Sequence, residues 1–242
     1  MEQQVVFLDL STIEYGVAWE LQERLLKENL ERKLLAKETD YDQAPLTPTA
    51  TKHHLLFCEH PPVFTLGKSG KEENILLTKE ELAEKGIAYY PTNRGGDITF
   101  HGPGQIVGYP ILDLEKFYTD IGKYLRDLEE VIIRTIADYG IHGERSKGET
   151  GVWIEPGTRG RERKICAMGV RCSRWVTMHG FALNVNTDLT YFDHIIPCGI
   201  ADKKVTSLAN EVGRTVPLAE VQQQIKKNFE SVFGCRLVNA GL

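Results

Sequence analysis

The sequence predicts an α+β fold, with antiparallel or mixed sheets and helices packed outside, resembling no regularly alternating β-α pattern. Three observations predict it. Short strand-like runs recur through the chain. Three longer stretches carry apolar residues at intervals of three and four. The two kinds of segment follow one another irregularly, and no internal repeat appears.

In order, Val5–Leu10 reads as a first strand. A helical pattern follows from Ser11 to about Lys37, with Leu21, Leu25, Leu26, Leu30 and Leu34 on its apolar stripe. Residues 38–51 are polar and contain prolines, so a loop is expected. Leu55–Glu59 and Val63–Leu66 read as short strands around Pro61-Pro62. Thr78-x-x-Glu81 is a capping box for a short helix that Gly86 closes. Ile87–Tyr90, Asp97–His101 and Ile106–Leu112 are strand-like. Asp120 can cap a helix whose stripe runs through Leu125, Leu128, Ile132 and Ile136 to a stop at Gly140. Gly151–Ile154, Ile165–Val170 and Val176–Val185 read as strands. Pro217 opens a last helix that reaches about Phe233 and ends at Gly234.

The length, 242 residues, suits one domain over 1–242. Hydrophobic residues make up 41%, enough for a sizeable core. The net charge of −5 argues against a nucleic-acid binder held by bulk positive charge. Apolar runs such as Val5-Val6-Phe7-Leu8 fall far short of the ~20 residues that span a bilayer. The start, Met1-Glu2-Gln3-Gln4, has no cationic, apolar signal character. A cytoplasmic protein without membrane or nucleic-acid partners is expected.

The five cysteines, Cys58, Cys166, Cys172, Cys198 and Cys235, are odd in number and form no CxxC. Neither a disulfide scaffold nor a zinc site is indicated. Most free cysteines are small buried hydrophobes. Cys58, Cys166 and Cys172 sit in strand-like runs and suit that role, and Cys235, just past the last helix, suits a structural one. Cys198 differs. It lies between Pro197 and Gly199, on a rigid turn of the kind that displays reactive side chains.

Two further segments stand out. Arg94-Gly95-Gly96-Asp97-Ile98-Thr99-Phe100-His101, continuing to Gly102-Pro103-Gly104-Gln105, reads either as a pocket wall or as a glycine-rich turn without a ligand. It matches neither GxGxxG nor GxxxxGK[ST], so no phosphate cradle is indicated. Between Pro156 and Arg174, the cations Arg159, Arg161, Arg163, Lys164, Arg171 and Arg174 are opposed only by Glu162. Such runs are usually solvated hairpin tips; the alternative is a dock for an acidic protein. Lys164 immediately precedes an apolar strand and is the one expected to point inward.

These segments resemble the lipoyl(octanoyl) transferase family. The resemblance rests on Arg94–His101 with Gly104-Gln105 and Tyr109-Pro110, on Glu59-His60-Pro61-Pro62-Val63-Phe64-Thr65-Leu66-Gly67, on Lys164–Arg171, on Trp175–Val185 and on Pro197-Cys198-Gly199. It covers roughly residues 5–216. It implies the fold of the biotin/lipoate protein ligases, Cys198 as nucleophile and Lys164 as its partner. It implies that Arg94, Gly95, Gly96, Asp97, Ile98, Thr99, Phe100 and His101, with Ala167, Met168, Gly169, Gly180, Phe181 and Ala182, line an acyl tunnel. The implied donor is octanoyl-acyl carrier protein. The implied acceptors are lipoyl domains of 2-oxoacid dehydrogenase E2 subunits and the glycine cleavage H protein. No cofactor is implied. Cys166 stands where a plain small residue is usual, and the 38–51 loop is longer than typical.

The implied chemistry is self-consistent. A thiol with a pKa of about 8.5 is a few per cent thiolate at neutral pH. An ammonium about 4 Å away contributes on the order of 4 kcal/mol at an effective dielectric near 20, enough to ionise it. Once the thiol is acylated, the lysine loses that partner and can serve, when neutral, as base for the incoming amine. Amide formation from a thioester is downhill, so neither ATP nor a metal is required. The competing readings are an ATP-dependent lipoate or biotin ligase of the same fold, a cysteine thioester hydrolase using His101 or His179, and a carrier-protein-binding module.

Overall fold

The structure, a computed structural model, describes residues 2–38, 50–196 and 204–239. The predicted 38–51 loop therefore falls largely outside the described residues. Among those described, eleven strands and five helices occur in the order β1 (Gln3–Thr12), α1 (Tyr15–Glu38), β2 (His53–Glu59), β3 (Val63–Leu66), α2 (Lys79–Glu84), β4 (Ala88–Pro91), β5 (Ile98–His101), β6 (Gln105–Ile111), α3 (Ile121–Ala137), β7 (Val152–Ile154), β8 (Arg163–Ser173), β9 (Val176–Asn184), β10 (Lys204–Val205), α4 (Leu208–Val212), α5 (Leu218–Phe233) and β11 (Cys235–Asn239).

The large mixed sheet runs β10-β8-β9-β6-β2-β1-β11, with β7 added to β8. Its central strands β9, β6 and β2 bury both faces. In β2, Leu55 and Phe57 point into a core with α3 and α5, while Leu56 and Cys58 point into a second core under α1. β9 divides likewise, with Phe181 and Leu183 on one side and Met178 and Ala182 on the other. Two-sided burial is why these strands read as continuous apolar runs and not as alternating patterns. A small sheet, β4-β3-β5, encloses a third core with α2 that includes Phe64, Ile98 and Phe100.

Local signals position the elements as read. Thr78 and Glu81 form both halves of the capping box. The Asp120 side chain accepts the Lys123 amide at the start of α3. Gly234, in the left-handed conformation, ends α5. Elsewhere boundaries shift, and β10, α4 and β11 are elements that the sequence did not announce. α1 begins at Tyr15, not Ser11, because β1 stays paired with β2 as far as Thr12 and Glu59. β8 extends to Arg163 and Ser173, where partners on β7, β9 and β10 carry its polar ends. β11 follows Gly234 directly and pairs in parallel with β1, burying Cys235. No helix among the described residues is long and apolar enough to cross a membrane.

Candidate functional site

A cavity of about 550 Å³ opens beside β8 and β9, within the usual size of a small-molecule pocket. One wall is the Arg94–Thr99 segment leading into β5. Its backbone is pinned on both sides. Gly67 and Ser69 amides bond to the Asp97 and Gly96 carbonyls, and the Gly95 amide donates to the Val170 carbonyl of β8 at 2.9 Å. The approach is so close that a Cβ on Gly169 would lie 2.5 Å from the Gly95 carbonyl oxygen. The sequence-predicted lining residues Arg94, Gly95, Gly96, Asp97, Ile98, Thr99 and His101 reach this cavity, as do Ala167, Met168, Gly169, Gly180, Phe181 and Ala182.

Phe100 does not. Its side chain is buried in the small-sheet core, stacked on Tyr191 at 4.5 Å and edge-on to Phe64 and Phe192. Strand alternation turns Phe100 with Ile98 into the small-sheet core, opposite to Thr99 and His101, and Ile98 touches the cavity only where the strand begins.

Lys164 lines the cavity from β8. A register shift opposite Val152 and Trp153 leaves Ile165 as an extra residue: Val152 pairs with Cys166, and Trp153 pairs with Lys164. Such a bulge re-aims a side chain. Here Ile165 and Cys166 are both fully buried, and Lys164 is left half-buried at the cavity. Cys166 is thus a core residue, and burial pushes its thiol well above the ordinary range. The nucleophile expected at Cys198 lies outside the described residues. On either side of it, the Ile196 amide donates to the Asn74 carbonyl, and Lys204 and Val205 pair with Arg163 and Lys164. The Asn74 side chain in turn donates to the Asp97 carboxylate on the cavity wall at 3.0 Å.

A polar array forms the rest of the lining. Its direction follows from one fixed end. Asn184 Nδ2 donates to the Thr206 carbonyl, so its Oδ1 accepts from Gln105 Nε2 at 2.8 Å. Gln105 Oε1 then accepts from His101 Nδ1 at 2.7 Å. Arg94 donates to Thr65 Oγ1 and to the Thr65 carbonyl, leaving the Thr65 hydroxyl to face His101 Nε2 at 3.5 Å. Burial holds His101 neutral, with its pKa lowered to about 3. His179 is lowered to about 3 by burial and by Arg94. Its Nε2 donates to Asn93 Oδ1 at 2.8 Å, because Asn93 Nδ2 is committed to Glu23. Neither imidazole has the basicity that a general base at neutral pH requires, which disfavours the hydrolase reading.

Sequence reasoning missed Tyr15, Tyr109 and Asn184 in this lining. Tyr15 stacks on His101, with ring centroids 6.0 Å apart, from the first turn of α1. Tyr109 donates to His60 Nε2 at 2.7 Å, and His60 Nδ1 donates to the Ile13 carbonyl. Tyr109 and Asn184 stood within the quoted resemblance segments; Tyr15 carried no local signal.

The cationic stretch is not a bare hairpin tip. Arg163 forms a two-pronged pair with Glu211, both contacts at 2.7 Å, and also meets Glu155. Arg161 pairs with Glu155, and Arg171 pairs with Glu23 of α1 at 2.8 Å. The real hairpin turn is Arg174-Trp175, both at positive φ, between Ser173 and Val176. Arg163 and Arg171 thus meet carboxylates remote in sequence, while Arg161 and Arg163 share the nearby Glu155.

Residues 14–230 match the family described as the lipoyl protein ligase A/B catalytic domain. The chain is 53% identical over 238 residues to an octanoyltransferase of Christiangramia forsetii, covering 98% of this chain and 99% of that one. It is 54% identical over 239 residues to an octanoyltransferase of Flavobacterium johnsoniae, with 98% and 100% covered. In fold it is similar to protein Ta0514, a putative lipoate protein ligase from T. acidophilum, at TM-score 0.66 and 15% identity, covering 100% of this chain and 89% of that one. A lipoate-protein ligase A bound with ATP gives TM-score 0.62 at 15% identity, with 100% and 90% covered. At that identity the likeness speaks to fold alone. Matched over nearly its whole length by its sequence relatives, the chain belongs to the octanoyltransferases of the lipoyl protein ligase A/B family.

Proposed function

We propose that this chain moves an octanoyl group from the thioester of acyl carrier protein onto Cys198, and from there to a lysine of a lipoyl domain, as the first step of endogenous protein lipoylation. The reading treats residues 1–242 as one catalytic domain in a cytoplasmic setting. The observation that carries it is Lys164, a cation on the wall of a glycine-lined cavity in a family of octanoyltransferases. Lipoyl domains of 2-oxoacid dehydrogenase E2 subunits and the glycine cleavage H protein are the acceptors this reading names.

In the first half-reaction the Cys198 thiolate attacks the thioester carbonyl. The carbonyl-to-carrier sulfur bond breaks, and the carrier sulfur leaves with the proton of the Lys164 ammonium, which leaves Lys164 neutral for the second half. Lys164 as an ammonium favours the thiolate. In the second, the acceptor amine attacks the acyl-Cys198 carbonyl. Lys164 takes the amine proton, the amide forms and the Cys198 sulfur departs. The buried thiols Cys58 and Cys166, both pushed up by desolvation, are poor competitors for the acyl group.

Intact-protein mass after incubation with octanoyl-acyl carrier protein tests the reading. One octanoyl adduct, removable by hydroxylamine and absent in Cys198→Ala, is expected; full transfer by Cys198→Ala overturns it. Lys164→Arg keeps a cation that does not give up its proton at neutral pH. That variant is expected to acquire octanoyl and then stall before the acceptor; wild-type transfer by it removes the general-base role.

A further inference from the structure

We propose that Trp153 is a positioning residue for Lys164, holding the ammonium group at the cavity against the face of its indole ring. The inference rests on the assignment of Lys164 to acyl transfer. Trp153 and Lys164 are direct cross-strand partners at the β7–β8 bulge. Side chains so paired stand on one face of a sheet with their Cβ atoms about 5 Å apart. Lys164 Nζ lies 4.6 Å from the Trp153 ring centroid, inside the range where a cation is drawn to the ring's negative face. Trp153 is 3% exposed, so water competes little for that face. Indole is the strongest of the aromatic rings in this contact.

The surrounding backbone is built to bring β7 this close. Gly151 sits at φ +116, and a Cβ there would come within 2.5 Å of the Cys166 carbonyl oxygen and 3.6 Å of Lys164 Cε. Its amide is fixed by Glu129 Oε1 at 3.0 Å, from the fully buried carboxylate of α3. Arg126 and Arg145 hold the other oxygen of that carboxylate, at 2.8 and 3.1 Å. Trp153 itself is clamped by reciprocal backbone bonds to Glu144. A lysine stem has four rotatable carbons and needs such a platform to present its nitrogen in one place. An aliphatic side chain at 153 fills space but offers the ammonium nothing.

Site-specific replacement of Trp153 by tryptophans carrying one to four ring fluorines tests this, since each fluorine weakens the negative face with little change in shape. The readout is the single-turnover rate of octanoyl transfer from octanoyl-acyl carrier protein to a lipoyl domain, beside the urea midpoint. A stepwise fall reaching about tenfold, at an unchanged midpoint, is expected. Trp153→Leu is expected to lose at least that much, and Trp153→Phe to recover part of it. A rate indifferent to fluorination overturns the proposal. Lys164→Ala separates the two layers. If that variant loses transfer while the fluorinated series stays flat, the positioning role alone fails. If Lys164→Ala transfers normally, the assignment of Lys164 fails with it.

Discussion

His101 donates through Nδ1 to the side-chain oxygen of Gln105, 2.7 Å away and four residues along the chain. The contact bridges the end of β5 and the start of β6, and through Asn184 it reaches β9. It fixes the His101 tautomer and leaves Nε2 turned to Thr65. His101 is therefore part of the wall's scaffold.

Gln105→Leu tests that scaffold. It leaves His101 Nδ1, Asn184 Oδ1 and the Phe100 carbonyl without this partner at a buried site. A buried polar group without its partner costs about 1–3 kcal/mol. Urea unfolding is expected to show a loss of at least ~2 kcal/mol on that basis. A midpoint within error of wild type would mean that the groups re-pair.

The buried histidines set an acid limit. His53 and His60 are lowered to about 4, and His101 and His179 to about 3, burial being the first cause in each. An unfolded histidine titrates near 6.5. Below that pH the unfolded chain takes up protons that the folded chain refuses, so stability falls as pH drops from 6.5 towards 4. Each histidine contributes a slope of up to roughly 1.4 kcal/mol per pH unit. Urea midpoints at pH 7, 6 and 5 are expected to decline steeply while carboxylates contribute little. A flat profile above pH 5 contradicts the neutral-histidine assignment.

The close approach at Gly169 predicts a different failure. Gly169→Ala puts a methyl group where the Gly95 carbonyl now sits, so the Arg94–Asp97 wall must retreat from β8. The Gly95–Val170 bond is lost with it. Overpacking of this kind costs about 1–3 kcal/mol. The protein is expected to fold with a reduced melting temperature and to transfer octanoyl at least about tenfold more slowly, as the cavity changes shape. Unchanged transfer kinetics would show that this wall is not part of the acyl site.

The sequence by itself determined the elements whose signals lie within a few residues: the Thr78–Glu81 capping box, the Asp120 cap, the Gly234 stop, and the apolar runs of β2 and β9. It also singled out Lys164 from the arginines around it, and through its family resemblance pointed to the segments that wall the cavity. Only the tertiary structure decided which way Phe100 turns, because a one-residue step along a strand exchanges cavity for core. Only the tertiary structure paired Arg171 with Glu23 and Arg163 with Glu211, brought Tyr15 onto His101, and laid Lys164 over Trp153. These partners stand far apart along the chain, or meet across a bulge that composition does not announce. Periodicity and capping are local, whereas which charge meets which, and which ring underlies a lysine, is chosen when the sheets and helices pack.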